Sequence, residues 1–94
     1  MMLFANTLQA NCAQVSRTIY TATGKMAGLV STYEDLWRFT IANYHAGPGC
    51  LSFAIHSAWD RNKNLTGRLI WPEVANDFTE TCRGVVPYVE TIAP

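Results

Sequence analysis

Apolar residues fall at helical spacing over two clear stretches. Leu51, Ala54, Ile55, Ala58 and Trp59 recur at i, i+3, i+4, i+7 and i+8, the signature of an amphipathic helix with one buried face. That run ends in the polar segment Asp60-Arg61-Asn62-Lys63-Asn64. Upstream, Tyr33, Trp37, Ile41 and Tyr44 share another stripe. Ser31-Thr32-Tyr33-Glu34 reads as a capping box, with the Ser31 hydroxyl accepting from the Glu34 backbone and the Glu34 carboxylate reaching back. Asp35 adds negative charge where the helix dipole favours it. The helix has to stop at Gly47-Pro48-Gly49, because Gly47 can adopt a positive φ and Pro48 cannot continue the ladder.

The flanking regions carry weaker patterns. In residues 1–30, Ala, Gln, Leu and Met favour helix, whereas Thr18, Ile19, Tyr20, Thr21 and Thr23 weaken it. This poorly defined segment is read as a helix from about Asn6 to Tyr20, a break near Gly24 and a further short turn. Pro72 suits the first turn of a short helix, Pro72 to Phe78. A last helix runs through Tyr88 to Ile92, with Thr79 or Thr81 as its cap. Pro87 implies that this helix is kinked or begins only near that residue. No strand alternation, repeat or low-complexity stretch occurs, so the expected class is all-α.

Composition narrows the picture. The 94 residues leave room for one small domain. Seven basic residues balance seven acidic ones, and only 15 % of residues are charged. A neutral chain argues against a non-specific nucleic-acid binder, and the charge-poor surface implies either poor solubility or a face that a partner covers. No apolar run is long enough to span a bilayer. Met1 to Cys12 lacks the basic and apolar regions of a signal peptide, and Asn11 before Cys12 speaks against a lipoprotein site. A role outside the cytoplasm would need an upstream segment for export.

Chemistry concentrates in Ile41-Ala42-Asn43-Tyr44-His45-Ala46-Gly47-Pro48-Gly49. This stretch resembles the Ala-x-Tyr-Asn-Ala-Gly-Pro-Gly signature of soluble lytic transglycosylases. Tyr88-Val89 resembles the Tyr-Val pair on the helix that closes the domain in that family. The similarity covers about 60 residues, Ser31 to Ile92, and implies that residues 31–94 resemble the C-terminal half of a lysozyme-like transglycosylase domain. It further implies action on, or binding to, peptidoglycan glycan strands, with no cofactor and no metal. In the family, one glutamic acid cleaves the bond between N-acetylmuramic acid and N-acetylglucosamine as acid and then base, leaving a 1,6-anhydro sugar; its pKa has to be raised for the first step.

Carried over by position, Tyr44, His45, Ala46, Gly47 and Tyr88 would form the remnant of the glycan groove. His45 stands where the family has Asn, so a contact that needs an amide does not carry over. The catalytic Glu has no counterpart. The family places it in a Glu-Ser pair followed by Gly-Leu-Met-Gln, farther upstream than the 43 residues that precede Tyr44 here. Glu34, ten positions before Tyr44, is read as a cap, and Glu73, Glu80 and Glu90 follow the motif. Ala27-Gly28-Leu29 shares two residues with the Gly-Leu-Met-Gln run, but it lies too near Tyr44 and lacks the Gln. Met1 is accordingly read as an internal start and this chain alone as inactive.

Plainer readings stand beside these. Tyr44 either lines the groove or joins Trp37 and Ile41 in the helix core. His45 and His56, eleven residues apart, have no metal-ligand spacing and read as ordinary surface or half-buried histidines. Gly47 and Gly49 are accounted for as a helix stop with positive φ, a role compatible with close approach of a glycan. Trp59 belongs to a buried stripe, whereas Trp71, in a loop before Pro72, is the better exposed stacking face. Asn64-Leu65-Thr66 matches a glycosylation acceptor but is short. The family layout implies a Cys50–Cys82 disulfide; the alternative is two buried thiols in a reducing compartment. The disulfide would suit an extracytoplasmic setting, cell wall or periplasm. A different class of function, a non-catalytic helical interaction module of a cell-wall or phage protein, fits the same composition.

Overall fold

The computed structural model describes residues 2–92, with side chains from residue 9 onward. Met1, and the last two positions of the 31–94 region, lie outside the described residues. Six helices and no strands make up the described chain: α1 (Met2–Thr23), α2 (Ala27–Val30), α3 (Tyr33–Ala46), α4 (Pro48–Asn62), α5 (Trp71–Asn76) and α6 (Val85–Ile92). The all-α expectation holds at this level.

Helix α1 runs on to Thr23 despite its β-branched residues, because Val15 and Ile19 are buried against the rest of the core. Tertiary burial outweighs propensity differences of a few tenths of a kcal/mol. Gly24, at φ 73°, ends the helix where expected, donating its N–H to the Tyr20 carbonyl at 2.8 Å.

The capping box of α3 sits one residue later than the sequence pattern suggested. Thr32 is the cap: its hydroxyl oxygen accepts from Asp35 N at 3.1 Å, and Asp35 Oδ2 accepts from Thr32 N at 3.4 Å. Ser31 is unavailable because its hydroxyl donates to the Leu69 carbonyl at 2.6 Å inside the protein. Asp35 is buried and serves two purposes, since its Oδ1 also accepts from Trp71 N at 3.1 Å. Glu34 is exposed and does not cap.

Gly47 is at once the C-cap of α3 and the N-cap of α4. Its φ of 96° and ψ of 158° form a conformation open essentially to glycine alone, and Pro48 then occupies the first position of α4, where its missing N–H costs nothing. Two helices therefore meet at a corner with no intervening loop. Pro87 sits within the first turn of α6, where N–H groups have no partner inside the helix. The helix thus begins near Pro87, one of the two arrangements expected. Thr79 and Thr81 do not cap it, because α6 starts only at Val85; the Thr79 carbonyl instead accepts from Cys82 N in a turn.

Helix α1 packs on α3 and α4, α5 packs on α4, and α6 packs on α3. Phe39 and Ala42 of α3 meet Leu51, Ala54, Ile55 and Ala58 of α4 in one core. Trp59 is in that core, as its stripe implied. Trp71 corrects the expectation of an exposed stacking face, being only 3 % exposed. Leu69 N bonds the Val30 carbonyl at 2.8 Å, and this anchor turns the following residues inward. The Trp71 ring then lies 6.1 Å from both Phe39 and Phe78, and its indole N–H donates to Glu90 at 3.3 Å.

Candidate functional site

The Gly47 corner presents the end of α3 beside α6. Val85 and Val89 bury one side of α6, which leaves Tyr88 on its outer side. Its ring lies on that of His45, with centroids 3.9 Å apart and planes within 14° of parallel. Cys50, in the first turn of α4, and Cys82, in the turns before α6, form a disulfide with Cα atoms 6.0 Å apart. It staples α6 to the corner. Between them lies an open recess of about 470 Å³, lined by His45, Ala46, Cys50, Thr81, Cys82, Gly84 and Val85.

The five groove residues proposed from sequence are therefore only partly brought together. His45 and Ala46 line the recess, and Tyr88 joins them through its stack on His45. Tyr44 precedes His45 by one residue, which rotates it about 100° around the helix. It joins Tyr33 and Trp37 in an aromatic row along α3, at 46 %, 70 % and 40 % exposure respectively. Tyr33 and Trp37 make an edge-to-face pair with centroids 6.2 Å apart. Of the two readings of Tyr44, the core one fails: the buried arc of α3 carries Asp35, Phe39, Thr40, Ala42 and Asn43 instead. Gly47 does not line the recess. A Cβ at Gly47 or Gly49 would meet nothing within 4 Å, so the need for glycine at Gly47 is conformational.

The carboxylates are placed elsewhere. Glu34 and Glu80 are exposed, Glu90 accepts from Trp71, and Glu73 pairs with Arg61 at 2.5 Å. Asp77 completes that pair, and its hydrogen bond, followed by that of Glu73, raises the Arg61 pKa above its ordinary value. No carboxylate lines the recess. Among the described residues no cluster of His, Cys, Asp and Glu is placed to hold a metal ion. His56 lies in a separate recess between α1 and α4, its Nδ1 2.9 Å from the Ser52 carbonyl. No described helix is long and apolar enough to cross a membrane. No protein-family model, curated protein or solved structure matches the chain.

The exposed indole is Trp37 and not Trp71. The better signal was present: Trp37 shares its stripe with two tyrosines, and three large aromatics on one short helix exceed what a small core can accept.

Proposed function

We propose that this chain is the glycan-binding part of a lytic transglycosylase-like domain, holding a peptidoglycan strand along α3 toward the Gly47 corner. The observation that carries this is the exposed row Tyr33, Trp37 and Tyr44, which ends at the Tyr-His-Ala-Gly-Pro-Gly segment. At 1.5 Å per residue, Trp37 is separated along the axis by about 6 Å from Tyr33 and about 10 Å from Tyr44. Those intervals are near the spacing of successive rings in a β-1,4-linked chain; because Tyr33 meets Trp37 edge to face, one ring of that pair takes a sugar C–H face and the other supports it. The stacked His45 and Tyr88 form a second aromatic face, about 100° around α3 from this row and beside the recess. Sugar hydroxyls need few charges to bind them, which fits a surface poor in charge.

Binding is assigned to this chain, and bond cleavage is not. Cleavage by the family's route needs a carboxyl group with a raised pKa beside the motif tyrosine, and the four glutamates of the chain are occupied or exposed as described above. The disulfide fits an oxidising compartment, cell wall or periplasm. The test is titration of the chain with soluble peptidoglycan fragments, followed by tryptophan fluorescence, together with an assay for anhydro-sugar release. Saturable quenching without release is expected; robust release by this chain would sink the assignment.

A second reading, an interaction module without glycan affinity, draws on Met26 and Leu29, which are 66 % and 71 % exposed around α2. Aliphatic side chains suit a protein face better than a sugar ring. Absence of quenching, combined with self-association that Leu29→Ser abolishes, would favour it.

A further inference from the structure

The recess between α1 and α4 is built almost wholly from polar side chains. Gln14, Arg17, Thr18 and Thr21 lie at i, i+3, i+4 and i+7 on α1, and Ser52 and His56 lie at i and i+4 on α4. The two polar stripes face each other across an opening of about 390 Å³. Helix packing alone does not call for this. Neighbouring Val15, Ile19, Leu51 and Ile55 already close the apolar contact between these helices.

The lining is rich in donors and holds no carboxylate. Arg17 makes no ion pair among the described residues, so its planar fork of N–H groups is open to a ligand. The Thr18, Thr21 and Ser52 hydroxyls have no side-chain partner within the described protein. Gln14 Oε1 is taken by Asn43 Nδ2 at 2.9 Å, which leaves the Gln14 amide N–H₂ as a donor. The Ser52 carbonyl can only accept, so His56 Nδ1 carries the proton of that contact; Nε2 of the neutral ring is then an acceptor, and His56 is not one of the donors. In a chain of zero formal net charge, an unpaired guanidinium among hydroxyls is a local positive site created by placement.

We propose that this recess binds an oxyanion, a carboxylate or a phosphate, with Arg17 as the charged anchor and the Thr18, Thr21 and Ser52 hydroxyls completing its shell. The site is separate from the α3 aromatic row and does not depend on the glycan reading. Two sources share the chemistry: the carboxylate of a peptide and the phosphate of a polyol polymer or a small metabolite.

The experiment is a titration of the full chain with inorganic phosphate and, in parallel, with acetate, at ionic strength held constant with sodium chloride. Amide shifts are followed in ¹⁵N–¹H spectra. Saturable shifts confined to residues 17–21 and 52–56 are expected with at least one probe, and the tighter probe names the source. Arg17→Gln should weaken binding about tenfold or more, as loss of a charge-assisted contact does. Its melting temperature should stay near that of the parent, because Arg17 is exposed and unpaired. Thr21→Val with Ser52→Ala should weaken binding while the Arg17 charge remains. Diffuse, non-saturating shifts with both probes, or wild-type affinity in Arg17→Gln, would overturn the site. Neither outcome bears on quenching of Trp37 by glycan fragments.

Discussion

Replacing both Cys50 and Cys82 by serine should cost this protein a large share of its stability. The two cysteines are separated by 32 positions. Cross-linking removes chain entropy from the unfolded state by about 2.1 + 1.5R ln n cal/mol/K, which for this loop amounts to about 3.7 kcal/mol at 25 °C. A domain of this length has about 5–14 kcal/mol in total. At about 4–8 °C per kcal/mol, the melting temperature should fall by roughly 15–30 °C. The assay is thermal unfolding followed by far-ultraviolet circular dichroism, on the parent with and without reductant and on the double variant. Reduced parent and double variant should melt together, well below the oxidised parent. The local consequence is separable. Helix α6 packs on α3 and is tied to α4 by this bridge, so its release should unstack Tyr88 from His45 before the core melts. Quenching by glycan fragments should then weaken at temperatures where helicity is still intact. A melting shift of only a few degrees would refute the loop-closure reasoning, and unchanged quenching would refute the role given to Tyr88.

Three further outcomes are expected. Thr32→Ala should cost about 1 kcal/mol as a lost N-cap, Ser31→Ala about 1–3 kcal/mol as a buried carbonyl loses its donor, and Glu34→Ala close to nothing; denaturant midpoints of the three variants test the capping register. Trp71→Ala should cost about 3–5 kcal/mol, whereas Trp37→Ala should leave stability within about 0.5 kcal/mol and abolish most glycan-dependent quenching; equal stability losses would contradict the opposite burial of the two indoles. Gly47→Ala should destabilise by about 1–3 kcal/mol, because alanine strains at a φ of 96° even with open space around it, and a neutral melting temperature would show that the corner can rearrange.

Some of this architecture was legible in the residues. The apolar spacing of residues 51–59 located α4 and its buried face, and Gly24 and Gly47-Pro48 marked helix ends, because each depends on local chemistry that a few neighbouring residues determine. Long-range partners were not legible. Whether Ser31 or Thr32 caps α3 turns on a hydrogen bond to Leu69, 38 positions away. Trp71 was read as exposed because its neighbours look like a loop. Its burial depends on Asp35, 36 positions away, accepting its backbone N–H. The Cys50–Cys82 pairing came from likeness to a family layout, which spacing alone does not supply.

The α3 stripe holds the deeper lesson for function. Periodicity identifies residues that share a face, but it does not say which of two apolar faces turns inward. On α3 the choice lies between an arc of Tyr33, Trp37 and Tyr44 and an arc of Phe39 and Ala42 flanked by Leu36 and Ala46. The second arc is slimmer and sits among Val15, Ile19, Leu51 and Ile55, side chains that interdigitate at close range. Tyrosine burial would add hydroxyl groups that each need a partner in the core. The small-residue arc therefore packs, and the bulky amphipathic arc faces solvent. A helix that places three large aromatics outside while Phe39, Ala42 and the partly buried Leu36, Ile41 and Ala46 serve its core has surface chemistry that its own folding does not require. That surplus, set beside the Gly47 corner, is the physical ground for the proposal that this face binds a ligand.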